Sequence, residues 1–173
     1  MNISRNLLIT FLIVITSSCT KDEIDNISNS DLIGFWRISD VYFEGTSTTN
    51  TAGNEVTTSF TGTGYNLALS IDFDENENAF TSKGSYNIQL ITNVDGEDVI
   101  TEWMNPGFIE CGTWDKDGNN LAVSKPNGET QIATVLSTQQ NTLELSYDFS
   151  YELMKSETTV IYNVKGIYRF EKQ

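Results

Sequence analysis

The stretch "YNLALSIDF" (residues 65–73) alternates with a period of two: Tyr65, Leu67, Leu69, Ile71 and Phe73 fall on one side, Asn66, Ser70 and Asp72 on the other. Successive side chains of a β-strand point to opposite faces, so this is an antiparallel strand with one buried and one wet face. The pattern recurs in both directions. "NAFTSKGSYNIQLIT" (78–92) continues as strand with a bulge at Gly84. "VITEWM" (99–104), "FIECGTW" (108–114), "TQIATVLST" (130–138), "NTLELSYDFS" (141–150) and "TTVIYNVKGIYRFEK" (158–172) read likewise. Upstream, "DLIGFWRISDVYFEG" (31–45) opens with a short turn and becomes an extended run rich in aromatic and branched residues.

Turn chemistry separates these runs. "DENEN" (74–78) and "NVDGED" (93–98) reverse the chain, and Asp117-Gly118 and Asn127-Gly128 are pairs that tolerate the positive φ of two-residue hairpin turns. "TSTTNTAGNEVTTSFTGTG" (46–64) is nearly all Thr, Ser, Gly and Asn and reads as a long loop. About nine strands at spacings of 8 to 12 residues, with no helical-period window after the N-terminal region, predict an all-β barrel or sandwich. Neighbours joined by short turns make a meander, and a meander of about eight or nine strands removes its edges most simply by closing on itself.

Composition excludes more than it identifies. The chain has 173 residues and no histidine, which rules out Ser-His-Asp and Cys-His catalysis and every His-containing metal site. Ten basic against 24 acidic residues give a net charge of −14, a field that repels nucleic acid. The two cysteines are Cys19 and Cys111. With nothing basic beside it, Cys111 reads as a small buried apolar residue. The acids of "DFDENEN" (72–78) and "DKDGNN" (115–120) are spaced like calcium loops. Counting twelve from Asp72 or from Asp115 meets Lys83 or Pro126 where the bidentate Glu belongs, so hairpin turns explain both and no metal site is read. No sequence feature selects a catalytic carboxylate pair, so the chain is read as a non-enzyme without a cofactor. Trp103, Trp114, Tyr147 and Tyr151 are open to two readings, core packing or a pocket or sugar platform.

The N-terminus has the three-part plan of an export signal. Arg5 supplies positive charge, Leu7 to Ile15 form an apolar run, and Thr16, Ser17 and Ser18 are small residues where a peptidase cuts. The run is too short to span a bilayer, which takes roughly 20 apolar residues. "TSSC" (16–19) resembles the lipobox of bacterial lipoproteins, which implies that residues 1–18 are removed and that Cys19 becomes an N-terminal residue carrying acyl groups such as palmitate. Several chains hold a protein at a membrane where one holds it only reversibly. "CTKDE" (19–23) resembles the surface-export tag of Bacteroidetes lipoproteins, which implies a lipid anchor in the outer membrane with an outward-facing address. The choice between the cell surface and the periplasmic leaflet rests on those few residues. Residues 19–31 then read as a lipidated tether and 32–173 as one domain.

"LIGFWRIS" (32–39) resembles the Gly-x-Trp opening of lipocalin-like domains, with Gly34 and Trp36 in the motif positions. "GTWDKDGNNLAV" (112–123) and "YRFEK" (168–172) are similar to small lipocalin-like lipoproteins of the same bacteria. The resemblance implies a lipocalin-like barrel with Trp36 plugging one end beside a basic residue of a late strand, for which Arg169 is the positional counterpart. It also implies a small apolar or amphipathic ligand, and alternation puts Leu67, Leu69, Ile71, Leu143, Leu145 and Tyr147 on the inner face as lining. The alternative is a surface or assembly lipoprotein that presents a protein- or glycan-binding face. Mass spectrometry of material from native membranes is expected to show residues 1–18 absent and acyl groups on Cys19. A chain that retains residues 1–18 refutes the anchor.

Overall fold

A computed structural model describes residues 27–94, 96–104, 108–139, 141–155 and 157–173. A one-turn helix, α1 (Asn29–Leu32), precedes eleven described strands: β1 (Gly34–Thr51), β2 (Asn54–Tyr65), β3 (Ser70–Phe73), β4 (Ala79–Lys83), β5 (Asn87–Val94), β6 (Glu97–Met104), β7 (Gly112–Asp117), β8 (Asn120–Ser124), β9 (Thr130–Gln139), β10 (Thr142–Lys155) and β11 (Thr158–Lys172). Eight of them, β1, β3, β4, β7, β8, β9, β10 and β11, close into an antiparallel ring, because β11 pairs with β1 as well as with β10. The antiparallel barrel expected from the alternation is therefore the observed fold.

The other three strands stand outside the ring, and each continues a ring strand. β2 leads into β3, β5 follows β4, and β6 leads into β7. β1 pairs with β3 through Gly34–Arg37 and with β2 through Tyr42–Thr51. The barrel consequently has two storeys. Below lies the closed ring; above it a six-stranded sheet runs in the order β6-β5-β2-β1-β11-β10. Asn66 (φ 53°) and Gly84 (φ 93°) mark two of the breaks between storeys. The alternation of "YNLALSIDF" survives its break, since Leu69, Ile71 and Phe73 are all buried.

Three expectations are corrected. Residues 46–64 are not a loop: they complete β1 and form most of β2, because Thr is β-branched and tolerates a wet pleated face. Outward Thr48 and Thr57 even hydrogen-bond across the pair at 2.9 Å. Asn127-Gly128 sits in a wider turn, closed by the Lys125 amide donating to the Glu129 carbonyl at 2.8 Å. The folded unit also reaches back beyond residue 32, since Ile27 is buried and Ser28 and Asp31 form a capping box on α1.

At the lower mouth Trp36 is buried, and its indole Nε1 donates to the Leu32 carbonyl at 2.7 Å. Lys172, directly opposite in register, lies over the Trp36 ring with Nζ 5.0 Å from its centroid. Gly34 is favoured here by its φ of +122°, and a Cβ would also crowd the flexible end of Lys172, 3.0 Å from its Cε. Arg169 is not the partner. Tyr168 and Phe170 point inward, so period two turns Arg169 outward, where it meets Glu144 at 3.7 Å.

Gly45 permits a close approach of β1 to β11 and β2 within the upper sheet. A Cβ there would lie 2.1 Å from the Asn163 carbonyl oxygen and 2.7 Å from the Phe60 ring. Gly45→Ala is therefore expected to lower unfolding free energy by about 1–3 kcal/mol in chemical denaturation. Ser59→Ala on the exposed face is expected to stay within about 0.5 kcal/mol of the parent.

Candidate functional site

The interior of the ring is filled. Leu143 and Leu145 are 0 % exposed, Ile71 1 % and Leu69 2 %, so their side chains are spent on packing against one another and their neighbours. They pack in one cluster with Phe73, Phe80, Leu121, Val135 and Phe170. Trp114 belongs to the same cluster, edge-on to Phe73 at 5.5 Å, with its Nε1 donating to the Asp74 carbonyl at 3.2 Å. Leu67 and Tyr147 are partly buried against the cluster. Four of the six candidate lining residues thus form a solid core, as small barrels often do.

An aromatic layer separates the storeys. Tyr86 and Tyr168 share a hydrogen bond between their hydroxyls at 3.0 Å and stand edge to face at 5.9 Å. Phe43 lies against both, and Phe108 meets Tyr168 at a tilt with ring centroids 4.6 Å apart. Tyr147 closes the layer beside Phe108, its hydroxyl accepting from Gln131 Nε2 at 2.9 Å. Burial pushes the Tyr168 phenol well above its ordinary range, reinforced by Tyr86. Tyr86 is raised too, chiefly by burial.

Above this layer the six-stranded sheet curls into a cup. Its edge strands meet through side chains: Trp103 on β6 lies 5.5 Å from Tyr151 on β10 and 5.3 Å from Tyr162 on β11. Phe60 faces Tyr162 at 6.2 Å, and Phe149 stacks on Tyr147 at 5.8 Å. Antiparallel partners share a face, so the buried Phe60, Leu90 and Val164 define the inner side. Following that parity upward gives the uncharged Val56, Thr58, Thr92, Val99, Thr101, Leu153 and Val160, and then Glu97 at the rim opposite Val94. Tyr151, Val99, Leu153 and Val56 are 40–63 % exposed, so the cup is open at its rim. This surface is the candidate site.

Trp103, Tyr147 and Tyr151, singled out in the sequence, are brought together here, while Trp114 is not. Phe60, Phe149 and Tyr162 were missed. Tyr162 was legible: it stands on the same parity as Val164, Tyr168 and Phe170. Phe60 was hidden inside the stretch read as a loop. Cys111 is exposed rather than buried, because strand pairing lapses where β4 leaves β7. There its sulfur accepts from the Ser82 amide at 3.3 Å and contacts the Ser82 carbonyl at 3.6 Å. Cys19 lies outside the described residues. Among those described, no group of three or more acidic or cysteine side chains is arranged to hold a metal ion, and no helix is long and apolar enough to cross a membrane.

Comparison with protein-family models, with curated proteins and with solved structures finds no match to this chain.

The aromatic layer generates a pH prediction. Because the folded pKa values of Tyr86 and Tyr168 are raised, their contribution to stability is complete below the free phenol range near 10. It is lost as pH rises above that range. In spectrophotometric titration, two of the seven tyrosines are expected to ionise only as the chain unfolds. Tyr86→Phe is expected to leave one late-titrating phenol.

Proposed function

We propose that this chain is a non-catalytic, lipid-anchored lipoprotein of the bacterial outer membrane whose cup binds a small apolar or amphipathic molecule. The observation that carries the reading is the aromatic and aliphatic inner wall around Phe60, Trp103, Tyr151 and Tyr162, open at its rim, where Glu97 is the one acid on that face of β6, above a packed core. Ligand sites are concave and mostly apolar, with a few polar groups to fix orientation. Thr58, Thr92 and Thr101 supply hydroxyls on the same wall. A net charge of −14 disfavours an anionic amphiphile such as a fatty acid and favours a neutral or cationic one.

Polarity along the barrel supports the anchored arrangement. Ile27 packs at the lower mouth, where Lys116 donates to its carbonyl, and the cup opens at the other pole, where β1 passes into β2 and β10 ends opposite the start of β11. The seven residues from 20 to 26 span at most about 25 Å when extended. An acylated Cys19 would hold the lower mouth near the bilayer and turn the cup away from it.

The test uses N-phenyl-1-naphthylamine, an uncharged apolar fluorophore, with the purified chain. Its emission is expected to rise on binding, with energy transfer from tryptophan. Trp103→Ala and Tyr151→Ala are expected to weaken binding at least about tenfold. Leu143→Ala is expected to cost about 2–5 kcal/mol of stability while leaving the affinity of the folded chain unchanged. Absence of binding, or binding indifferent to Trp103, refutes the cup.

A further inference from the structure

A second concavity lies outside the barrel, on the opposite face of the same strands. It is a groove of about 540 Å³ across β1, β11 and β10. Register arranges its side chains in two rows. Lys165 on the central strand is flanked by Glu44 and Asp148; in the next row Asn163 is flanked by Thr46 and Ser150. All six point away from the core, since Val164 and Gly166 on the central strand are buried.

The chemistry of this grid is selective. The Lys165 ammonium stands 3.5 Å from a Glu44 carboxylate oxygen, and both side chains are about half exposed, so the pair is weak and open to exchange. Ser150 Oγ donates to Asn163 Oδ1 at 2.7 Å and approaches the Tyr162 carbonyl at 3.2 Å. That bond fixes the amide and leaves its NH₂ group as donor. The side chains that register turns into the groove are polar, while carbon atoms of Gly45, Phe149 and Val164 on its floor give it apolar surface as well. An anion would face two carboxylates and the field of the whole chain, and a cation would face Lys165. Groups that donate and accept at once satisfy every position, because carboxylates only accept and ammonium only donates. Hydroxyls of a sugar are such groups. Tyr42 lies on the same outer face, two residues before Glu44 on β1, and is 37 % exposed. It offers an apolar ring at one end of the grid for the C–H face of a pyranose.

We propose that this groove binds an uncharged carbohydrate of one or two rings. Carboxylates Glu44 and Asp148 take hydroxyl protons, Lys165 and the Asn163 amide donate to hydroxyl oxygens, and Tyr42 carries the ring face. The site is independent of the cup: inner and outer side chains alternate along the strands and do not meet.

Amide chemical-shift mapping on the full chain tests it, with glucose, galactose, N-acetylglucosamine and cellobiose as neutral probes, glucuronate as the anionic one and glucosamine as the cationic one. At least one neutral sugar is expected to shift the amides of residues 42–46, 148–150 and 163–165 and to bind more tightly than either charged probe. Asp148→Asn and Asn163→Ala, which lie on an exposed face, are each expected to weaken that binding about tenfold. Both variants are expected to keep the parent spectrum elsewhere and to leave naphthylamine binding in the cup intact. If no neutral probe moves those amides, if a charged probe binds as tightly, or if binding persists unchanged in both variants, the groove is not a sugar site. Loss of cup binding by Trp103→Ala has no bearing on this result, so the two readings fail separately.

Discussion

The pairing of β1 with β11 is the constraint on which the rest of the molecule depends. These strands lie at opposite ends of the sequence, yet they run in register from Trp36 opposite Lys172 to Thr51 opposite Thr158, with one irregularity near Ser39. Without that ladder the sheet would end in two exposed edges, and edges invite association with other chains. With it, the lower ring closes. The same ladder holds the upper storey together, because β1 carries β2-β5-β6 on one flank while β11 carries β10 on the other. It also seats Lys172 over Trp36, so closure of the wall and formation of that pair are one event. Contacts of such sequence separation are slow to form, and closure is expected late in folding.

The two storeys differ because their strands differ in length, not because their composition does. β8 has five residues and stops at Ser124, and β9 pairs with β10 only through Thr142–Ser146. Above that level β10 has one backbone neighbour among the described residues, and β6 likewise has one. A ring of eight with bulky inward residues fills itself, as Phe73, Phe80, Leu121 and Leu143 do here. A sheet of six with free edges can curl only as far as its side chains allow. Trp103 meeting Tyr151 sets that limit and leaves the space between partly open.

Period two was the most legible signal in the sequence, and it placed Leu69, Ile71, Leu143 and Leu145 inward without any structure. What alternation does not carry is depth: an inward residue in the ring and one in the cup look alike in sequence, and only strand pairing separates filler from lining. Parity also explains the misassigned cation. Arg169 and Lys172 are both basic and both lie on the last strand, but counting from Phe170 puts only Lys172 on the side of Trp36. The Thr-rich stretch failed for a different reason. Threonine, serine and glycine are turn formers by composition, while threonine is a strand former by its branched Cβ; with Phe60 the one large apolar residue in the run besides Val56, no hydrophobic period announced the strand. Cys111 failed because its surroundings are set by a lapse in pairing between β4 and β7, which no local pattern encodes.

Gly45 is where the inner and outer surfaces become physically linked. On the inside its missing side chain makes room for the Phe60 ring, which the cup needs as part of its wall. On the outside its neighbours Glu44 and Thr46 line the polar groove, and the Asn163 carbonyl comes close enough that any Cβ would push β1 and β11 apart. Close packing at this residue therefore borders two concavities of different character, one mainly apolar and one carrying both signs. Because strand alternation keeps their side chains apart, occupancy of one surface can reach the other only through the backbone at this crossing. The close contact makes that backbone stiff, since it has little room to adjust. The geometry thus favours two sites that load independently over two that communicate.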